Sequence, residues 1–432
     1  MRRRIRACAF ALLTLACAPA PAGTGGNAVR VLIDREMVFP AALELIASAR
    51  HEILFSMYLL GGAEATEDVP AGIGRQLVDA LLERQRAGVR VRVINTRFVQ
   101  VKDPRPAPGP DDDWFHPVFD YAAAQGLPIV RPAPRRGAID HTKYLIVDGR
   151  EAIFGGMNLA DAVASNHDVM VHVAGPAVRE LQRLFQRQWD AAVAAAGDKA
   201  PRDAGPAVDF REPAELVAAA DARVAAGWQG GCDVAIRATT PDSREILPLV
   251  QETLASAGPG DRLRISLLLF SERVLLDAVI AAHRRGVDVR VILDPNEAFY
   301  GVDCRGSLNA RAIAELADAG VPVRHYDVKP GQEMHMKVFV LERASGERIF
   351  GVGSANWTTS DMRHNWEAFG LFSRCERPAA ELVDLFETDW RRRTRPLTDA
   401  LLSTYRDETA RKALSKACDT RLKTEAWLRG KR

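Results

Sequence analysis

Four segments of the chain occur twice in the same order. That repetition limits the fold more than any other feature of its 432 residues. "EILFSMYLL" (52–60) matches "RLRISLLLF" (262–270), and "LVDALLERQRAGVRVRV" (77–93) matches "LLDAVIAAHRRGVDVRV" (275–291), the latter 198 residues on. "QGLPIVR" (125–131) matches "AGVPVRH" (319–325), and "HTKYLIVD" (141–148) matches "HMKVFVLE" (335–342), each 194 residues on. A period near 195 residues is far too long for a solenoid and reads as a duplicated unit. Each unit opens with an apolar run. A helix follows, with apolar residues four apart such as Leu77 and Leu81, and ends at Gly88 or Gly286 in the C′ position. An alternating strand comes next. Strands alternating with helices predict an α/β fold. It would have two similar mixed-sheet lobes, 23–198 and 214–390, related by a pseudo-twofold, with the Pro-containing stretch 199–213 as linker.

Side chains in a strand alternate faces, so His141 and Lys143 point the same way, as do His335 and Lys337. The acids seven residues after each histidine, Asp148 and Glu342, have odd parity and stand where a turn begins. Glycine-rich returns follow, "IFGGMN" (153–158) and "IFGVGSAN" (349–356). They align Gly156 with Ser354 and Asn158 with Asn356. Further on, "NHD" (166–168) aligns with "NWE" (365–367), setting Asp168 opposite Glu367. A single H-x-K pair is ordinarily a surface strand. Duplication alone would preserve apolar positions, but it has no need to preserve His, Lys and Asn, which are costly to bury.

That set suits phosphodiester transfer at the interface of the lobes. One histidine attacks phosphorus and forms a phosphohistidine, and the other protonates the leaving oxygen. His141 is the expected nucleophile and His335 the expected acid. Lys143 and Lys337 neutralise charge as it builds. Asn158, Ser354 and Asn356 are the expected phosphate donors. Asp168 and Glu367 are the expected carboxylates on the far nitrogens of the histidines. No metal and no cofactor is required.

The pattern H-x-K-x4-D followed by G-G/S-x-N resembles the signature of the phospholipase D superfamily. "HTKYLIVDGREAIFGGMNLAD", "HDVMVHVAGPAVREL" and "GSANWTTSDMRHNWEAFGLF" are most similar to its bacterial cardiolipin-synthase branch. Over about 30 to 390 the resemblance implies a two-lobed fold, a shared central site, a phosphohistidine intermediate and no metal. It also implies catalytic roles for His141, Lys143, Asp148, His335, Lys337 and Glu342. Glu342 departs from the pattern by replacing an Asp.

Residues 1–22 read as an export signal. Arg2, Arg3, Arg4 and Arg6 precede an apolar stretch too short to span a membrane. "TLAC" (14–17) resembles a lipobox with Cys17 as the lipidated residue, and "APA" (20–22) could instead be cut before Gly23. Either cleavage predicts a periplasmic or lipid-anchored protein, and a monomer is expected. Without residues 1–22 the body to 390 carries −10 and the tail 391–432 carries +8. A basic helical tail on an acidic body suits an anionic membrane surface better than a nucleic-acid groove. Cys232, Cys304, Cys375 and Cys418 could form disulfides outside the cytoplasm or remain free thiols. "PDDDW" (110–114) lies in a Pro-rich loop and reads as a solvated segment or a lid. The expected substrate is a phospholipid. The alternatives are a secreted metal-independent nuclease and an inactive module that binds phosphorylated surfaces.

Overall fold

The apolar runs of each repeat are strands buried on both faces, which is why they read as nearly continuous rather than alternating. The structure, a computed structural model, describes residues 24–61, 71–96, 118–132, 138–201, 208–297, 306, 308–329 and 331–429. The expected signal 1–22 with Cys17, the loop 97–117, Cys304, and residues 202–207 of the expected linker lie outside the described residues.

The first lobe supplies β1 (Thr24–Ile33), β2 (Glu52–Met57), β3 (Leu60–Gly61), β4 (Arg90–Asn95), β5 (Ile129–Val130), β6 (Lys143–Val147), β7 (Glu151–Gly155), β8 (Leu159–Ala160) and β9 (Val169–Ala174). The second supplies β10 (Gln229–Thr240), β11 (Ser243–Arg244), β12 (Arg262–Leu267), β13 (Asp288–Leu293), β14 (Val323–Tyr326), β15 (Lys337–Glu342), β16 (Arg348–Gly353), β17 (Glu367–Ser373) and β18 (Thr394–Pro396). Among the described residues all but β3 and β8 join one sheet, ordered β18-β14-β13-β12-β15-β16-β17-β10-β1-β9-β7-β6-β2-β4-β5, with β11 paired to β10. The order mirrors itself about the antiparallel β1–β10 pair, so two copies of one mixed sheet meet edge to edge. The β2–β4–β5 and β12–β13–β14 pairs are parallel.

Two kinds of layer cover the sheet. On one face each lobe keeps its own core. The helices Asp34–Ser48 and Ile73–Arg86 cover the first lobe, and Ile246–Ala255, Arg273–Arg284 and Ala310–Asp318 cover the second. On the other face a single core runs across both lobes. There Leu181, Phe185 and Trp189 of the helix Val178–Ala196 share it with Leu382 and Phe386 of the helix Glu376–Arg392. The lobes are therefore fused by backbone hydrogen bonds and by common apolar packing, and the site between them is held on rigid elements.

The segment after residue 390 is not a free tail at its start. β18 pairs with β14, and Tyr405 of the helix Asp399–Arg406 is buried in the core of the second lobe. Cys232 on β10 and Cys375 form a buried disulfide. Cys418, on the last helix Glu408–Arg429, is also disulfide-bonded. Among the described residues no helix is long and apolar enough to cross a membrane.

Candidate active site

Each lobe passes a short extended segment to the other. Asp140 forms a parallel bridge with Trp366, and His167 forms one with Met334. In the first crossing the His141 amide donates to the Trp366 carbonyl at 3.0 Å, and the Trp366 amide donates to Ile139 at 2.9 Å. In the second, the His335 amide donates to the His167 carbonyl at 2.8 Å, and the His167 amide donates to Glu333 at 2.8 Å. Asn365 and Asn166 serve the crossings alike. Their side-chain carbonyls accept from the amides of Ile139 and Glu333, both at 3.0 Å. These asparagines were not among the expected site residues, although the repeated N-x-acid spacing contained them.

The crossings bring each histidine to a carboxylate of the opposite lobe. His141 Nδ1 lies 2.9 Å from Glu367 Oε1, and His335 Nδ1 lies 2.7 Å from Asp168 Oδ2. A carboxylate accepts, so each Nδ1 carries the hydrogen and the reactive lone pair belongs to Nε2. Lys143 Nζ donates to the His141 carbonyl at 2.7 Å, and Lys337 Nζ donates to that of His335. Lys337 Nζ also lies 3.1 Å from His335 Nδ1. The carboxylate is closer and can accept the ring hydrogen, which an ammonium cannot, so the Asp168 contact sets the tautomer. The two lysines are 1% exposed, an expense that the surrounding acids and the histidine carbonyls offset.

Burial is the largest influence on every charge here. It holds His141 well below the ordinary histidine value and His335 at about 3, with the adjacent lysines adding to both. It lowers Lys143 to about 7, against the pull of Glu367. It raises Glu367 to about 7 and Asp361 to about 6. Asp361 sits in the first turn of the short helix Thr359–Arg363, whose N-cap Thr358 accepts from the Asp361 amide. It hydrogen-bonds Glu367, so one of those two carboxyls carries a proton. Sequence reasoning missed Asp361, because the first lobe has no aligned acid to flag it. His141, Asp361 and Glu367 place ligand atoms within 4.8 Å of one another, a spacing that could hold a cation. Lys143 and Lys337 already interact with both acids, and His141 Nδ1 already bonds Glu367.

Several expected residues lie elsewhere. Asp148 stands at the far end of β6, with φ +51, and accepts from the amides of Arg50, His51 and Glu52. Four strand residues lie between it and the lysine, so the two are five steps or about 17 Å of chain apart. Glu342 ends β15 and binds Arg348 at 3.1 Å. In the second lobe the amide-binding task passes to Asp261, which accepts from Gly258 and Ala344 and pairs with Arg343. Asp148 and Glu342 are thus pins of the hairpins, outside the histidine cluster. Ser354 is turned to Glu367, to which its hydroxyl donates, while accepting from the Ala368 amide at 3.0 Å. Asn158 accepts from the Leu59 amide at 3.3 Å, and Asn356 is buried beside Asp361. Tyr58 sets its ring edge-on to His141 at 4.7 Å and under Lys143 Nζ at 5.0 Å. Its aligned residue is Leu268, so the repeat could not reveal it.

Residues 42–189 and 250–390, one H-x-K pair in each, match the family described as "Cardiolipin synthase, PLD-like domain". The chain belongs to that family. Among its cardiolipin-synthase relatives is cardiolipin synthase A of Pseudomonas fluorescens (strain SBW25), 27% identical over 379 residues, which is 80% of this chain and 65% of that protein. The cardiolipin synthase of Staphylococcus aureus (strain N315) is 24% identical over 379 residues, 85% of this chain and 68% of that protein. The chain spans about two thirds of the length of these relatives. In fold it is similar to phosphatidylserine synthase of Haemophilus influenzae Rd KW20, with a TM-score of 0.63 at 14% identity over 93% of this chain and 96% of that one. Polyphosphate kinase of Porphyromonas gingivalis shares the fold with a TM-score of 0.53 at 13% identity, over 92% of this chain and 53% of that one. The duplicated lobes expected of this family are therefore present, and the signature residues divide between a central cluster and hairpin pins.

Proposed function

We propose that this chain is an exported phosphatidyltransferase or phosphodiesterase of the phospholipase D type, acting on phospholipids through a phosphohistidine. The observation that carries the reading is the crossed pair of histidine–carboxylate contacts between lobes, with a buried lysine beside each ring. In this mechanism His141 Nε2 attacks phosphorus. The P–N bond forms as the bond to the leaving oxygen breaks, and His335 Nε2–H protonates that oxygen. An acceptor hydroxyl then gives its proton to His335 and attacks phosphorus, and the P–N bond breaks. Burial beside the lysines keeps both rings neutral, which suits the nucleophile. The anionic substrate supplies the negative charge that lets His335 take up its proton. Lys143, Lys337 and the side-chain amide of Asn356 stabilise the non-bridging oxygens.

The phospholipid assignment draws on the cardiolipin synthase relatives, and the export assignment on the disulfide Cys232–Cys375, which persists in an oxidising compartment. The test is incubation of the protein with phosphatidylglycerol vesicles, and separately with plasmid DNA, in EDTA. Headgroup release or cardiolipin formation is expected, with a phosphohistidine at His141 on acid-free quenching and mass spectrometry. Cleavage of DNA alone would make it a nuclease. Activity that EDTA removes and a divalent metal restores would overturn the mechanism.

A further inference from the structure

The two crossings share one backbone pattern but carry different middle residues, Trp366 in one and His167 in the other. Trp366 packs against the shared core. His167, 1% exposed, is held by acids at both ring nitrogens. Nδ1 lies 2.8 Å from Asp34 Oδ1, in the first lobe, and Nε2 lies 2.9 Å from Asp389 Oδ2, in the second. Two acceptors require two N–H donors, so the ring is an imidazolium. Burial opposes that charge, but the hydrogen bonds the ring donates to Asp34 and Asp389 outweigh it and raise His167 to about 9.

One of these acids, Asp34, reaches the reacting groups through the backbone. Asp34 Oδ1 accepts from the Asp168 amide at 3.0 Å, and the Asp34 amide donates to the Asp168 carbonyl at 3.0 Å. Asp34 adopts φ +57 to do so, a left-handed conformation that Asp tolerates better than most residues. The His167 carbonyl takes the amide of His335. A single charged ring therefore ties together the helix that starts at Asp34, the end of the helix Glu376–Arg392, the carboxylate that orients His335, and the backbone of His335 itself.

We propose that His167 is a positioning residue: an interlobe imidazolium clamp that holds the Asp168–His335 pair in register, and whose deprotonation releases it. The proposal rests on the reading of His335 as general acid. It assigns the pseudo-symmetric site two unlike supports, a charge-dependent one behind His335 and a packed one behind His141. The groups facing the clamp are Asp34, Asp389, Arg393 with Nη1 3.6 Å from Asp389 Oδ1, the Tyr326 ring stacked at 5.2 Å, and on its own segment Asp168. Burial lifts Tyr326 to about 12, so His167 is the member of this set that loses its proton first as pH rises.

Three variants of the full chain test this. His167→Gln keeps the size but cannot donate from both ends, and kcat on phospholipid vesicles is expected to fall about 10- to 100-fold with KM within about threefold, the range usual for lost outer supports. His167→Arg, which keeps the charge and offers a donor fork, is expected to recover most of that loss. Asp389→Asn lies away from the reacting groups and removes one of the two carboxylate charges on the ring, so His167 should lose its proton about one pH unit or more lower. The ¹⁵N titration of the His167 ring reads that shift. That titration and the downfield His335 Nδ1–H resonance are read without substrate, so they judge the clamp even if the phospholipid reading fails. If His167→Gln does not fold, Asp389→Asn decides. Activity of His167→Gln within about twofold of the parent, or an unmoved His167 titration in Asp389→Asn, overturns the proposal.

Discussion

Both central histidines are uncharged in the resting fold because they are buried beside lysines, and this sets the acid side of the pH profile. A histidine with its pKa held low stays neutral as pH falls through the ordinary value near 6.5. The acid limb of kcat/KM is therefore expected below 6.5. Lys143→Met removes the charge that, after burial, does most to hold the nucleophile His141 low, so the limb should rise, as read from a pH–rate profile. Linkage gives the matching stability effect. His335 has a folded pKa below its unfolded one, so its contribution is present above about 6.5 and is lost as pH falls toward the folded value. His167 behaves in the opposite sense: its contribution is full below about 6.5 and is lost as pH rises through about 9. Denaturant midpoints across pH should fall on both sides. The two histidines of the site also act as a unit. His141→Ala and His335→Ala should each cost at least about a thousandfold in kcat, and the double variant scarcely more. Multiplicative losses in the double variant would argue for two separate sites.

The hairpins are the elements that translate sequence into this geometry. β6–β7 and β15–β16 return the chain so that Gly156 and Ser354 lie under the two orienting acids. A Cβ on Gly156 would sit 2.4 Å from Asp168 Oδ1, so glycine is the residue that leaves room for Asp168 to reach His335. In the second lobe the serine fits because its hydroxyl donates to the longer Glu367. Gly156→Ala is expected to push Asp168 off the ring. Overpacking should lower stability by about 1–3 kcal/mol, and kcat should fall about 10- to 100-fold, seen by thermal melts and steady-state kinetics. Ser354→Ala leaves Glu367 short of a donor, with an expected cost of about 1–3 kcal/mol. The hairpins also explain the acid seven residues after each histidine. It is a turn residue that gathers amides in the first lobe, and Asp261 on the neighbouring connection does that work in the second.

At the scale of the molecule the site exists only because two lobes share a sheet and a core. The disulfide Cys232–Cys375 closes a separation of 143 residues from the central strand β10 to the helix that covers that shared core. Replacing both cysteines by Ala is expected to cost about 3–5 kcal/mol, since a long loop is freed in the unfolded chain. Calorimetry with and without reductant measures it, and the double variant should no longer respond to reductant through this bond. Much of the architecture follows from the chain read alone. The repeat, the α/β alternation and the facing of His141 with Lys143 and His335 with Lys337 arise from short-range periodicities, which local sequence carries. The pairing of acids was suggested by alignment of Asp168 with Glu367, but the crossing of each to the other lobe's histidine was not contained in either repeat. Those partners are 226 and 167 residues apart, and only docking of the lobes decides such contacts. The displacement of Asp148 and Glu342 from the cluster, the turning of Ser354 toward an acid, and the recruitment of Asp361 and His167 were decided there too. Burial at a shared interface sets which polar groups meet and which charges survive, and a linear pattern does not encode it.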